Sequence, residues 1–182
     1  MAGMVFKWLI FVSSYIPVFI MIFLNNLSAF SGEKLKETWN LNANFWIILV
    51  ILSIVSFLSL KIWLYLLKRQ ADNDGKRRYK IDKIKPNDSE VLNFFVTFII
   101  PVISLKPNSA PSILMNTLLL VIEGIYFVKN NSLYFNVLLI IMGYHIYSFG
   151  DDCIIITKKN KDDLIFEESE ASQVGTTNIF YI

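Results

Sequence analysis

Residues Phe45 to Leu67, FWIILVILSIVSFLSLKIWLYLL, hold one charge, Lys61, and run straight into the basic segment Lys68 to Lys85. At ~1.5 Å per residue this stretch is long enough to cross a hydrocarbon core of ~30 Å with some tilt. The segment that follows fixes the side. Lys68, Arg69, Lys76, Arg77, Arg78, Lys80, Lys83 and Lys85 are crowded into KRQADNDGKRRYKIDKIK. Basic residues flanking a span resist translocation and stay cytoplasmic, whereas acids such as Asp72, Asp74 and Asp82 count for little. Trp46 near one end, with Trp63 and Tyr65 near the other, supplies the aromatic belt expected at two membrane interfaces. Lys61 lies about 9 Å inside the inner boundary by helical rise, within reach for its stem to snorkel to the headgroups.

The rest of the chain has the same character, with 54% hydrophobic residues among 182. That is too apolar for an ordinary soluble domain of this size. Trp8 to Leu24 reads as a first span interrupted by Ser13, Ser14 and Pro17, with Lys7 on the cytoplasmic side. A cleaved signal peptide is the rival reading, but the apolar run is longer than an h-region and the small pair Ala29 and Ser31 stands well beyond it. Asn25 to Asn44 is a polar external connection. Val91 to Leu105, VLNFFVTFIIPVISL, is short, holds Asn93 and is broken by Pro101; Ile113 to Val128 and Leu133 to Ser148 follow as apolar runs. The expectation is an all-α polytopic membrane protein with four transmembrane helices at about 8–24, 45–67, 113–128 and 133–148. A basic cytoplasmic loop occupies 68–90, and a Pro-interrupted re-entrant or interfacial segment 91–105. The membrane domain is then 1–148 and the cytoplasmic tail 149–182. In the tail, β-leaning runs Tyr144 to Phe149 and Cys153 to Thr157 around Gly150-Asp151-Asp152 signal a small β-hairpin.

If Val91 to Leu105 spans as well, there are five crossings and the tail is external. The distribution of basic residues favours four, which keeps Lys7, the loop, Lys106, Lys158, Lys159 and Lys161 inside against Lys34, Lys36 and Lys129 outside. Glu123 pulls the other way. Only five crossings bring it to the depth of Lys61, and an unpaired ionisable group inside a span costs at least ~2.5 kcal/mol on insertion scales.

No catalytic signature is present. The single histidine, His145, excludes a site of several imidazoles, and one cysteine, Cys153, excludes an intrachain disulfide. The grouping of His145 with Asp151 and Asp152 reads as a polar helix end followed by a turn. Neither an enzyme nor a cofactor is expected. Asn116 and Glu123, seven residues apart, share one helix face. With Asn136 on the following run and Lys61, they read as interhelical packing or, alternatively, as the lining of an oligomeric ion pore. The basic loop reads as a patch for anionic lipid or a cytoplasmic protein rather than nucleic acid, since Tyr79 is its sole aromatic. The apolar end Ile179, Phe180, Tyr181 and Ile182 is a candidate anchor on such a partner.

The pieces Ser13-Ser14-Tyr15-Ile16-Pro17, Phe98-Ile99-Ile100-Pro101 and Gly143-Tyr144-His145-Ile146-Tyr147, with a Thr157-Lys158 ending, resemble the membrane subunit family of the Kiwa anti-phage system, KwaA. The resemblance implies a homo-oligomer in the bacterial inner membrane that works with a soluble DNA-binding partner, and it brings no catalytic residues. A small channel, or an immunity protein against a membrane-active toxin, is the alternative function.

Overall fold

The computed structural model describes residues 3–73, 78–81, 84–130, 132–150, 153–166, 170–174 and 177–182. The chain divides into two compact units that interleave in sequence. One comprises residues 1–60 and 95–133, the other residues 61–94 and 134–182. The division does not fall at the expected boundary near residue 148, because the loop after the long helix belongs with the tail.

The first unit is helical. α1 (Met4–Ser13) and α2 (Ile16–Asn25) replace the expected single span and meet at a bend of 47°. The break has a local cause. The hydroxyls of Ser13 and Ser14 donate to the carbonyls of Ile10 and Phe11, at 2.6 and 2.7 Å, and Pro17, lacking an N–H, starts the next helix at one of its first positions. The polar α3 (Gly32–Leu41) follows, capped by Ser31. α4 (Ala43–Asn73) contains the predicted span and begins in this unit. α5 (Asp88–Ile103) enters it from residue 95 on, and α6 (Ala110–Lys129) completes it.

Three asparagine amides tie one end of this unit together. Asn25 donates to the Ile103 carbonyl (3.1 Å), Asn26 to Leu105 (3.4 Å) and Asn42 to Pro107 (2.8 Å). The α5–α6 connection therefore sits where α2 stops and α4 starts.

The second unit is built on a sheet. Among the described residues it has six strands: β1 (Arg78–Lys80), β2 (Ile84–Pro86), β3 (His145–Phe149), β4 (Cys153–Thr157), β5 (Glu170–Gln173) and β6 (Ile179–Tyr181), in the order β1-β5-β6-β4-β3-β2. All neighbours are antiparallel except β4 and β6, which run parallel. β1 and β2 are the two edges, yet Ile84 stands only four positions after Lys80. That much chain reaches at most about 14 Å, whereas a flat six-stranded sheet sets its edges about 24 Å apart. The sheet must therefore curl until its edges face each other. Its core draws on Ile81 just beyond β1, on Ala171, Phe180, Ile155, Tyr147 and Ile84 of the other strands, and on Leu164 of α8 (Lys161–Phe166) packed among them.

These facts correct the expected architecture. The protein is not all-α. Two described helices, α4 and α6, are long and apolar enough to cross a membrane, and the bent pair α1 and α2 makes a third only if it counts as one span. Leu133 to Ser148 is not a span. Asn136 caps the five-residue α7 (Val137–Ile141), Gly143 at φ +78° ends the turn beyond it, and the chain continues as β3. Val91 to Leu105 falls largely within the helix α5, continuous through Pro101. The hairpin read at Gly150, whose φ is +57°, is only the β3–β4 pair in the middle of the larger sheet, and Asp151 and Asp152 lie outside the described residues. Finally, strands hydrogen-bonded in one sheet cannot lie on opposite sides of a bilayer. Loop strands β1 and β2 pair with tail strands β5 and β3, so loop and tail share one side of any bilayer the helices cross.

Candidate functional site

α6 turns Asn116 and Glu123 inward together. Asn116, Glu123, Gly124, Phe127 and Val128 are its buried residues, and α1 packs on it. The Trp8 ring lies over Gly124 so closely that any Cβ there would collide with it, and Phe11 meets Phe127 with centroids 5.5 Å apart. Tyr15, at the break between α1 and α2, donates its hydroxyl to Oε2 of Glu123. Glu123 is 5% exposed. Its Oε1, Oδ1 of Asn116 and the hydroxyl of Ser56 have no hydrogen-bond partner among the described residues. The Asn116 amide spends its donor on the Ser112 carbonyl of its own helix at 2.9 Å.

Glu123 is therefore packed within the chain at the α1–α2 break, and the group that answers its carboxyl is a phenol 108 residues away. Asn136, expected to bond across from a neighbouring helix, accepts from the Leu138 N–H at 3.0 Å as a helix cap. Lys61 is exposed on α4.

The basic candidates divide three ways. Lys68 and Arg69 are exposed near the end of α4. Lys76 and Arg77 lie outside the described residues. Arg78 and Lys80 are the ends of β1, paired in register with Ser172 and Glu170. The candidate anchor at the chain end is not free. Ile179 and Phe180, 8% and 3% exposed, and Tyr181 form β6 between β5 and β4, so the apolar end serves the sheet's own core.

Sequence reasoning missed one further constellation. Asp88, the first residue of α5, accepts from the Ile146 N–H at 2.8 Å with one oxygen and lies 3.0 Å from Nδ1 of His145 with the other. The Asn87 N–H donates to the Ile146 carbonyl at 2.8 Å. The start of α5 is thereby fixed to β3. An Asn-Asp pair before an apolar helical run is a helix-start signal, but the strand it binds lies too far along the chain to be read from it. No group of three or more metal-ligating side chains occurs among the described residues.

Helices apolar enough for a bilayer, a buried polar seam and a curled sheet carrying the basic segment define a membrane-associated helical protein with a folded polar appendage. More particularly, the chain belongs to the KwaA anti-phage protein family, whose model matches residues 6–181, nearly its whole length. It is a component of anti-phage defence. No curated protein and no solved structure matches it.

Proposed function

We propose that this protein is a non-enzymatic inner-membrane component of the defence system, with its N-terminus and sheet unit in the cytoplasm, that associates with further copies of itself and recruits a soluble partner. Several features support the reading. The helical unit exposes long apolar side chains on α4 and α6, which suits lipid and not water. The basic segment adjoins the longest apolar helix, and positive residues there favour the cytoplasmic side. One observation carries most of the weight: the loop strands and tail strands share a single sheet. A topology signal in the loop therefore applies to the tail as well. The parts offered to a partner are then the folded sheet, the exposed Lys68 and Arg69 near the end of α4, and the basic loop sequence that holds Lys76, Arg77, Arg78 and Lys80, not a loose apolar end. The resemblance to Kiwa membrane subunits suggests that the partner is a DNA-binding protein. A pore reading is less favoured, because Glu123 is covered by Tyr15 and α1 within the chain itself.

The test is labelling with an impermeant thiol reagent on a Cys153→Ser, Asn160→Cys protein, since Asn160 is exposed beside β4. Reaction only after cells are permeabilised is expected; reaction in intact cells would refute the placement. Partner recruitment is tested by co-purifying the soluble subunit of a Kiwa system with this chain, with Lys76, Arg77, Arg78 and Lys80 changed to Gln. Loss of co-purification is expected, and undiminished recovery would remove the patch from the proposal.

A further inference from the structure

Between α2, α3 and α4 the helical unit holds a cleft of about 260 Å3. Its walls include Phe19 and Phe23 of α2, Trp39 of α3, and Trp46, Val50 and Ser53 of α4. The α4 positions follow at intervals of four and three, so they form one stripe along the helix axis. From Trp46 to Ser53 that stripe runs about 10 Å by helical rise, roughly two-thirds of the ~15 Å of hydrocarbon in one leaflet. The cleft thus lies along the direction in which acyl chains run in a bilayer.

Its chemistry asks for nothing polar. The Ser53 hydroxyl, the one side-chain hydroxyl in the wall, donates to the Leu49 carbonyl at 2.7 Å. The Trp46 indole N–H is spent on the Thr38 carbonyl at 2.9 Å. Trp46 is only 2% exposed, so it forms a floor and not a rim. At the α3 end, Thr38 donates to the Asn26 carbonyl at 3.3 Å, which fixes α3 across the helix ends and sets Trp39 as a cap. An apolar slot without unsatisfied donors or acceptors, set against the bilayer-length α4, excludes a hydrated or charged ligand.

We propose that this cleft binds one acyl chain of a membrane phospholipid, from the leaflet opposite the basic loop, as a specific lipid site. The inference rests on the membrane placement proposed above. Lipid occupying the slot sets the spacing of α2 and α4 directly below the α1–α2 break, so it gives the protein a contact that reports on its bilayer.

The experiment uses the full chain with Trp46 as its single tryptophan, through Trp8→Phe, Trp39→Phe and Trp63→Phe, in phosphatidylethanolamine and phosphatidylglycerol vesicles doped with phosphatidylglycerol brominated along its acyl chains. Strong quenching of Trp46 is expected, most of it lost when Ser53→Phe or Val50→Phe fills the slot. Equal quenching with and without the filling substitution overturns the proposal, as does absence of quenching. Native mass spectrometry of the unmodified chain gives a second readout that does not need the tryptophan background. A retained phospholipid adduct, missing from the Ser53→Phe protein, is expected. No adduct, or a second copy of the chain released by Ser53→Phe, overturns it. Flotation with the vesicles separates the two levels: a chain that fails to float refutes the membrane placement, while a floating chain with unquenched Trp46 refutes the lipid site alone.

Discussion

In the helical unit, α4 turns Ile47, Ile48, Ile51, Ile54 and Leu58 to the exterior, while Ser13, Ser14, Ser56, Asn116 and Glu123 are kept inside. The sheet unit does the reverse, enclosing Ile146, Ile155, Ile156, Leu164 and Phe180 and exposing Lys158, Asn160 and Asp162. The two units thus differ in what they turn outward, although both bury apolar side chains, Ile10, Val18 and Ile22 in the first as Ile146 and Ile155 in the second. Burial is set by the medium each part faces: in water an apolar core gains ~25 cal/mol per Å2 removed from solvent, whereas among lipid tails that gain vanishes and close packing with polar contacts between helices takes over.

That contrast can be broken most severely by deleting Ile179 to Ile182. This removes β6 from the middle of the sheet and Phe180 from its core, so amide protection across β1 to β5 is expected to be lost while α4 and α6 stay protected; hydrogen exchange in vesicles reads both. A sharper version applies one substitution to each unit. Ile51 and Ile165 are 55% and 46% exposed, yet Ile51→Lys is expected to cost about 2.5–3.5 kcal/mol of insertion free energy, and Ile165→Lys on α8 within about 0.5 kcal/mol of folding stability. Glycosylation-reporter insertion and thermal unfolding measure the two; equal small effects would refute a lipid-facing α4.

Tyr15→Phe is expected to cost less than Ile51→Lys. It strips the donor from a buried carboxyl and should destabilise the helical unit by about 1–3 kcal/mol in detergent denaturation, whereas Glu123→Gln, which leaves Tyr15 an oxygen to donate to, should cost less. The mildest effect lies in alkaline solution and confines itself to the sheet. Burial first, then a hydrogen bond and charge repulsion from Tyr144 and repulsion from Asp72, pushes the Tyr181 phenol up from 10.0 to about 12. A raised acid binds its proton more tightly in the folded state, so its contribution is complete below pH 10 and is lost as pH rises toward 12. Tyrosinate absorbance against sheet circular dichroism should show β6 loosening in that window with the helices intact.

The sequence exposed the lipid-facing part of this contrast more readily than the other. Phe45 to Leu67 and Ile113 to Val128 stand out because uninterrupted apolar runs of that length have few other uses. Periodicity put Asn116 and Glu123 on one face, yet could not show that Tyr15 answers Glu123, since helical spacing is silent about another helix. Leu133 to Ser148 has the composition of a span because β3 is buried on both faces, as Ile146 and Tyr147 are; only Asn136 and Gly143 betray the interruption. The edge strands were hidden for another reason. Three residues such as Arg78 to Lys80 are too few for an alternation to register, and their charges read as a topology signal, which masked their place in a sheet. Ile179 to Ile182 looked like a loose anchor because its partners are elsewhere in the same tail.

The curled sheet also bears on how the chain is made. Its two edges are synthesised early, directly after α4, but they have nothing to pair with until β3 to β6 emerge, after α5 and α6 have been committed. Under the membrane placement proposed above, β1 and β2 find β5 and β3 only when loop and tail emerge on the same side; otherwise the backbone groups of all four strands stay unpaired.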